Sequence, residues 1–285
     1  MAERDVFGRS DDELETLEIG VAPDSFSGKV VVISGAGTGI GRACAHWFAR
    51  LGAKIVLCGR DAGKLASAAQ ALERYGSETL THSLSIRDPD AVRILHDAAW
   101  ERFGEIDVVV NNAGGQFPQA AIDFSPNGWR AVIDTNLNGT WFMMQAAARK
   151  WREAKRGGAI VNVVTVIGRG MPGVAHTCAA RAGIIYASKT VAVEWAPLGI
   201  RVNCVAPGII ATEGMYVYSD EVRRNIVNSN LMKRFGEVED VANAVAYLAG
   251  ETSRFMTGEV LMIDGGTHLW GDQWVIDKPD YFRVP

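Results

Sequence analysis

Residues 29–43, "KVVVISGAGTGIGRA", run from a block of β-branched residues through a cluster of glycines into a helical pattern. The apolar block reads as a strand buried on both faces. Gly35, Gly39 and Gly41 come directly after it and open the helix. Glycines at such a junction let the backbone turn tightly and approach a pyrophosphate, whose charge would rest on the free N–H groups of the helix N-terminus. A glycine cluster alone says little; the strand–turn–helix context makes it a candidate nucleotide site.

The same rhythm continues in both directions. "AKIVLC" (53–58) is followed by an amphipathic stretch from Asp61 to Tyr75, and then come "VVVNNAG" (108–114), "AIVNVVT" (159–165), "RVNCVA" (201–206) and "EVLMID" (259–264). Near-continuous apolar strands separated by helices predict an α/β fold, a single-domain, Rossmann-like, doubly wound parallel sheet with helices on both faces. Ser125-Pro126 predicts a helix start, serine as N-cap and proline in the first turn. The expected organisation is an acidic N-terminal extension (1–27), the Rossmann domain (28–266) and a C-terminal tail (267–285).

Composition narrows the function classes. Hydrophobic residues make up 48% of the chain and charged residues 22%, a balance suited to a soluble globular core. No apolar run reaches the roughly 18 residues of a membrane span. The N-terminus lacks the apolar core of a signal peptide, and the four scattered cysteines suggest reduced thiols; a cytoplasmic protein with no metal site is expected. The net charge of −4 conceals an asymmetry. Residues 1–24 hold eight acids and two bases, so the body is mildly positive, fit for an anionic small molecule and without the basic cluster a nucleic acid needs. The acidic arm reads as a solvated tail or a wrap at a subunit edge.

The second strand ends "VLCGRD", without the acid that would grip the 2′-hydroxyl of NAD. Arg60 offers instead a planar cation for a 2′-phosphate, which favours NADP(H) over NAD(H).

The GxxxGxG spacing at 35–41, with "NNAG" at 111–114 and "PG" at 207–208, resembles the short-chain dehydrogenase/reductase family over residues 27–266. The resemblance implies that Thr38 and Ile40 line the cofactor phosphates, that Asn112, Ala113 and Gly114 flank the adenine ribose, and that Ser85 and Ile86 meet the adenine. It implies that Pro207, Gly208, Ile210 and Thr212 hold the nicotinamide carboxamide. Asn136, in "DTNLNGT", would stabilise a kinked helix and organise a proton-relay water.

The family's chemistry rests on a tyrosine and a lysine four apart on one helix, the cation lowering the phenol's pKa for proton transfer. The chain offers Tyr186 and Lys189, which are three apart. Counting back from Pro207 by the family's spacing reaches Arg181 instead and, four residues earlier, Thr177. At about 100° per residue, Tyr186 falls half a revolution out of phase with Thr177. The pair is a decoy by this reading, and Tyr186 a packing or subunit-contact residue. The catalytic positions then read Asn136, Thr165 (serine in the family), Thr177 and Arg181. Threonine is a poor general acid but can donate a hydrogen bond; arginine keeps its proton but can hold ribose hydroxyls and an oxyanion. His176, at the helix start, is either a proton donor suited to neutrality or a helix-terminal histidine satisfied by the backbone.

A site impaired for ketone reduction but able to stabilise negative charge suits hydride addition to the β-carbon of an α,β-unsaturated thioester, which makes an enolate. "NNAGGQF", "TNLNGT", "HTCAARAG" and "GIRVNCVAPG" resemble the peroxisomal trans-2-enoyl-CoA reductase branch and, more distantly, the 2,4-dienoyl-CoA reductases; Val166 and Ile167 stand where the latter carry a tyrosine. An acyl-CoA is thus the expected small-molecule substrate. Gln116 and Phe117 would line its mouth, with Met215, Tyr216 and Tyr218 in a lid over residues 209–235. Arg223, Arg224, Lys233 and Arg234 could meet CoA phosphates or simply be solvated. The aromatic tail suggests packing on another subunit, in a homo-oligomer of two or four copies. Two alternatives stay open: an NAD(P)-dependent alcohol or 3-hydroxyacyl-CoA dehydrogenase, for example on a branched terpenoid chain, and a catalytically silent nucleotide-binding subunit.

Overall fold

Each β-branched run becomes a strand of one parallel sheet. The structure, a computed structural model, describes residues 7–166, 168–270 and 275–276. Its strands are β1 (Val30–Ser34), β2 (Lys54–Gly59), β3 (Thr79–Ser83), β4 (Val108–Asn111), β5 (Gly158–Val163), β6 (Ile200–Pro207) and β7 (Val260–Ile263), in the spatial order β3-β2-β1-β4-β5-β6-β7. Val31 lies between Ile55 and Val108 in register, and every pairing is parallel.

The period of two sorts side chains to the two faces. Val31 and Ile33 pack on α2 (Gly39–Arg50), α3 (Ala62–Leu72) and α9 (Val238–Ala249). Val30 and Val32 face the opposite core, built from α4 (Pro89–Phe103), α6 (Thr140–Glu153) and α7 (Ala175–Trp195). Because the chain leaves β1 towards β2 on one side and reaches β4 on the other, a crevice opens at the strands' carboxyl ends between β1 and β4, the switch point where open α/β sheets bind ligands.

The Ser125-Pro126 signal holds. Ser125 caps α5 (Pro126–Ile133), its hydroxyl accepting from the Gly128 N–H at 3.0 Å. Residues Asp134–Gly139 then form a π-helical turn that continues into α6. Such turns widen a helix locally and occur often at functional sites.

The N-terminal arm corrects an expectation. From Phe7 onward it does not float: α1 (Asp11–Thr16) is fixed by a Ser10–Glu13 capping box and buries Leu14 to 1% exposure in the core. Seven-residue spacing hides this, because one leucine and one phenylalanine among acids look solvated. In the C-terminal tail, Val275 is buried on Gly173 within its own subunit; residues 271–274 and 277–285 lie outside the described residues. No helix among the described residues is long and apolar enough to cross a membrane.

Candidate active site

The glycine turn is built by exclusion. A Cβ on Gly41 would stand 2.2 Å from the Gly35 carbonyl oxygen and 2.5 Å from Asn112 Nδ2, so no side chain fits there. Gly35 and Gly39 have φ of +68° and +52°, in the left-handed region that favours glycine. Asn112 locks the turn from β4: its Nδ2 donates to the carbonyls of Ser34 and Gly35 at 3.1 and 3.2 Å. The Ser34 hydroxyl accepts from the N–H groups of Asn112 and Ala113 at 3.1 and 3.0 Å. Asn112 therefore spends its amide on the turn.

These residues open on a cleft of about 930 Å³. Gly35, Thr38, Gly39, Ile40, Arg60, Ser85, Ile86, Asn112, Ala113, Gly114, Gln116, Phe117 and Thr212 all line it, so most of the residues singled out from the sequence come together. Thr38 is the N-cap of α2 without a side-chain cap bond, which leaves the helix N-terminus open towards the cleft. Lys64 and Arg87 also line it and were missed in the sequence. Lys64 could have been found, one turn after Arg60 in a helix capped by Asp61, whose carboxylate accepts from the Lys64 N–H at 3.0 Å. Arg87 is held against the cleft wall, donating to Thr135 Oγ1 (2.6 Å) and the Ala131 carbonyl (2.7 Å).

Several expected contacts fall outside the cleft. The Gly208 N–H donates to the Ile263 carbonyl at 2.9 Å, which ties the Pro207-Gly208 turn to β7. Ile210 packs against Gly236 and lines a separate groove with Leu231 and Met232. Met215 is buried in an apolar cluster with Phe7, Val174 and Tyr218, and Tyr216 turns towards Phe7 and Arg223; neither lines the cleft, because the segment folds onto the N-terminal arm. Of the lid side chains expected to meet substrate, Tyr218 is the one that touches a cleft residue, accepting a hydrogen bond from Gln116 Nε2. Of the lid cations, Arg223, on α8 (Asp220–Asn225), is bonded to the Tyr218 carbonyl and Asp220, Lys233 to the Asn228 carbonyl and Arg234 to the Phe235 carbonyl.

On α7 the phase argument meets the geometry. Thr177 and Arg181 are buried on the inner face, whereas Tyr186 is 69% exposed and its ring lies under the Lys189 ammonium at 5.6 Å. The Arg181 guanidinium lies against Gly114: a Cβ there would stand 2.1 Å from Nη2. Arg181 Nη1 and Thr177 Oγ1 have no hydrogen-bond partner among the described residues. Burial pulls the Arg181 pKa down to about 10, so the group stays cationic at neutrality. Asn136, in the π-helical turn, holds Gly115 with both ends of its amide, Oδ1 accepting from the N–H (2.9 Å) and Nδ2 donating to the carbonyl (3.0 Å). Thr165 is half-buried just past β5. Ile167 lies outside the described residues.

His176 departs from the proton-donor reading. It is fully buried, stacked on Phe124 (4.5 Å between centroids) and edge-on to Phe117 (4.6 Å), and its Nδ1 accepts from the Thr177 N–H at 2.7 Å. Burial lowers its pKa, outweighing the carbonyl groups of Val174 and Phe117, and leaves a neutral ring near pH 7.

A buried cation and hydroxyl without partners, beside a glycine turn that no side chain can fill, fit a nicotinamide dinucleotide with its phosphates at α2 and its ribose near Arg181. The comparisons agree on the class. The family model described as "Enoyl-(Acyl carrier protein) reductase" matches residues 35–268, and the chain belongs to the short-chain dehydrogenase/reductase family, an oxidoreductase family that binds NAD(P)(H). It is similar to a "probable 2,4-dienoyl-CoA reductase" of Bacillus subtilis, 34% identical over 85% of this chain and 97% of that protein. It is as near to the 3-oxoacyl-[acyl-carrier-protein] reductase FabG of Escherichia coli, 35% identical over 86% of this chain and 99% of that protein. Among solved structures, the citronellol catabolism dehydrogenase AtuB of Pseudomonas aeruginosa superposes with a TM-score of 0.79 at 36% identity, covering 88% of this chain and all of that one.

Proposed function

We propose that this chain is an NADPH-dependent reductase of the C=C bond of an α,β-unsaturated acyl-CoA that works without a tyrosine–lysine pair. The observation that carries the reading is the inner face of α7, where Thr177 Oγ1 and Arg181 Nη1 are buried and unpartnered while Tyr186 faces solvent. A bound nicotinamide dinucleotide supplies hydride. Arg181 holds ribose hydroxyls and the developing enolate oxygen, and Thr177 donates a hydrogen bond beside it. When hydride reaches the β-carbon, the π electrons move to the thioester oxygen, and the α-carbon then takes its proton from water or another weak acid. That proton transfer asks less of the protein than ketone reduction, in which a phenol must deliver a proton to the carbonyl oxygen. Asn136 positions Gly115 and the substrate loop, with Gln116 and Phe117 at the mouth. His176 is a positioning residue, its neutral ring wedged between Phe117 and Phe124.

The preference for NADPH rests on Arg60 and Lys64, both lining the cleft, Lys64 against Gly37, while Asp61 is taken up as the cap of α3. Assembly into dimers or tetramers is supported by exposed apolar side chains on the outer face of α7, Tyr186 at 69% and Val193 at 77%.

A second reading has its own support in the likeness to AtuB: dehydrogenation of a branched terpenoid alcohol. The discriminating experiment follows NADPH oxidation with crotonyl-, decenoyl- and 2,4-dienoyl-CoA and with a 3-oxoacyl-CoA, beside oxidation of citronellol with NAD(P)+. Turnover of the enoyl substrates at ten times the 3-oxoacyl rate or more is expected, roughly 1.4 kcal/mol of discrimination. Turnover of citronellol alone selects the second reading, and tight NADPH binding with no turnover identifies a silent subunit.

A further inference from the structure

The N-terminal arm is joined to both the glycine turn and the lid. At the cofactor end, Asp11 grips Arg42 through two bonds (2.7 and 2.6 Å) and accepts from His46 Nε2 at 2.9 Å. Arg42 Nη1 in turn donates to the carbonyl of Gly37, inside the glycine turn, at 3.3 Å. Burial would raise the Asp11 carboxyl, but Arg42 and His46 outweigh it and hold the pKa below the ordinary carboxylate value. At the lid end, the Phe7 ring meets Tyr216 and Phe235 edge-to-face at 5.6 and 5.3 Å, and its N–H points to the Tyr216 hydroxyl at 3.4 Å. Phe7 is 6% exposed in the same apolar cluster as Met215 and Tyr218. Between the two ends, Arg9 pairs with Glu239 (2.9 Å) and Glu237 (3.4 Å), at the start of α9 just past the lid. Gly8 lies against the Glu213 carboxylate, and Thr212 and Glu213 lie against Gly39.

We propose that residues 7–14 are a positioning strap that ties the lid to the glycine turn, so that an occupied turn holds the lid shut. The strap runs without a break from Gly37 through Arg42 and Asp11 to Phe7 and the lid aromatics. A ligand that orders the turn also orders Arg42, and the entropy of fixing the strap is then already spent when the lid closes on Phe7. Phe7, Arg9 and Asp11 act through the turn and the lid and touch no reacting atom. The proposal rests on the family's dinucleotide site and not on which substrate is reduced.

Limited trypsin digestion reads the lid directly, because Arg223, Arg224, Lys233 and Arg234 are cleavage sites within it. The full chain is digested with and without saturating NADPH, and in parallel NADH, with fragments assigned by mass; cofactor affinity is measured by fluorescence titration. In the unmodified chain the cofactor should slow lid cleavage at least about fivefold. Phe7→Ala should abolish that slowing and weaken cofactor binding by no more than about the same fivefold, the reciprocal of the coupling, and Phe7→Leu should restore both. Asp11→Asn, which loosens the other anchor, should lose the slowing too. Lid cleavage unaffected by either dinucleotide in the unmodified chain overturns the proposal. So does full protection in Phe7→Ala.

Discussion

Arg60 stands just past the carboxyl end of β2 and lines the cleft, where a fork of N–H donors can meet a 2′-phosphate. Arg60→Asp removes the cation and adds a repelling charge, so NADPH should bind roughly 10- to 100-fold more weakly, with NADH little affected. Fluorescence titration of both dinucleotides checks this, and an unmodified chain that already prefers NADH contradicts it. At this scale the sequence spoke clearly where backbone geometry leaves one answer. Gly35, Gly39 and Gly41 could be placed because Gly35 and Gly41 leave no room for a Cβ and Gly35 and Gly39 take a positive φ, and Thr177 and Arg181 because helical phase is set by counting. Met215 and Tyr216 could not. An apolar residue in a lid faces either substrate or protein, and here Phe7, more than two hundred residues away, claims both.

Elements show the same division. The apolar strands β1, β2, β4, β5, β6 and β7 were legible as β-branched runs, but β3 was not. Its sequence, Thr79–Ser83, is "TLTHS" at the sheet's edge, where half-exposed positions tolerate polar side chains and no apolar run develops. The Asp61–Tyr75 stretch became α3 with a 3-10 turn at Glu73–Tyr75. The π-helical turn at Asp134–Gly139 is invisible to periodicity, because it inserts one residue into an otherwise regular helix, yet it brings the Asn136 amide onto Gly115. The arm failed for a different reason. Its acids look solvated until Arg42, Arg50 and Arg74 are seen beneath it, the last paired with Asp12 and Glu15.

For the molecule as a whole, a buried histidine contributes to how stability responds to acid. His96, on α4, is 1% exposed, and burial pushes its pKa down to about 4. A depressed folded-state pKa means that the unfolded chain takes up a proton first, as pH falls below the ordinary histidine value of about 6.5, and stability is lost from there down to about pH 4. That interval is worth about 3 kcal/mol for a group buried this fully. His96→Leu should therefore flatten the fall in melting temperature between pH 6.5 and 4.5 relative to the unmodified chain; parallel curves would show that His96 does not govern it. The central claim is that catalysis belongs to the inner face of α7 and not to the tyrosine and lysine on its outer face. kcat/KM for a trans-2-enoyl-CoA with NADPH, measured for the unmodified chain, Tyr186→Phe and Arg181→Ala with folding verified by thermal melts, tests it most directly. Tyr186→Phe should stay within about twofold of normal, and Arg181→Ala should fall on the order of 100-fold through lost stabilisation of the enolate oxygen. Collapse of activity in Tyr186→Phe, with Arg181→Ala near normal, would contradict the account.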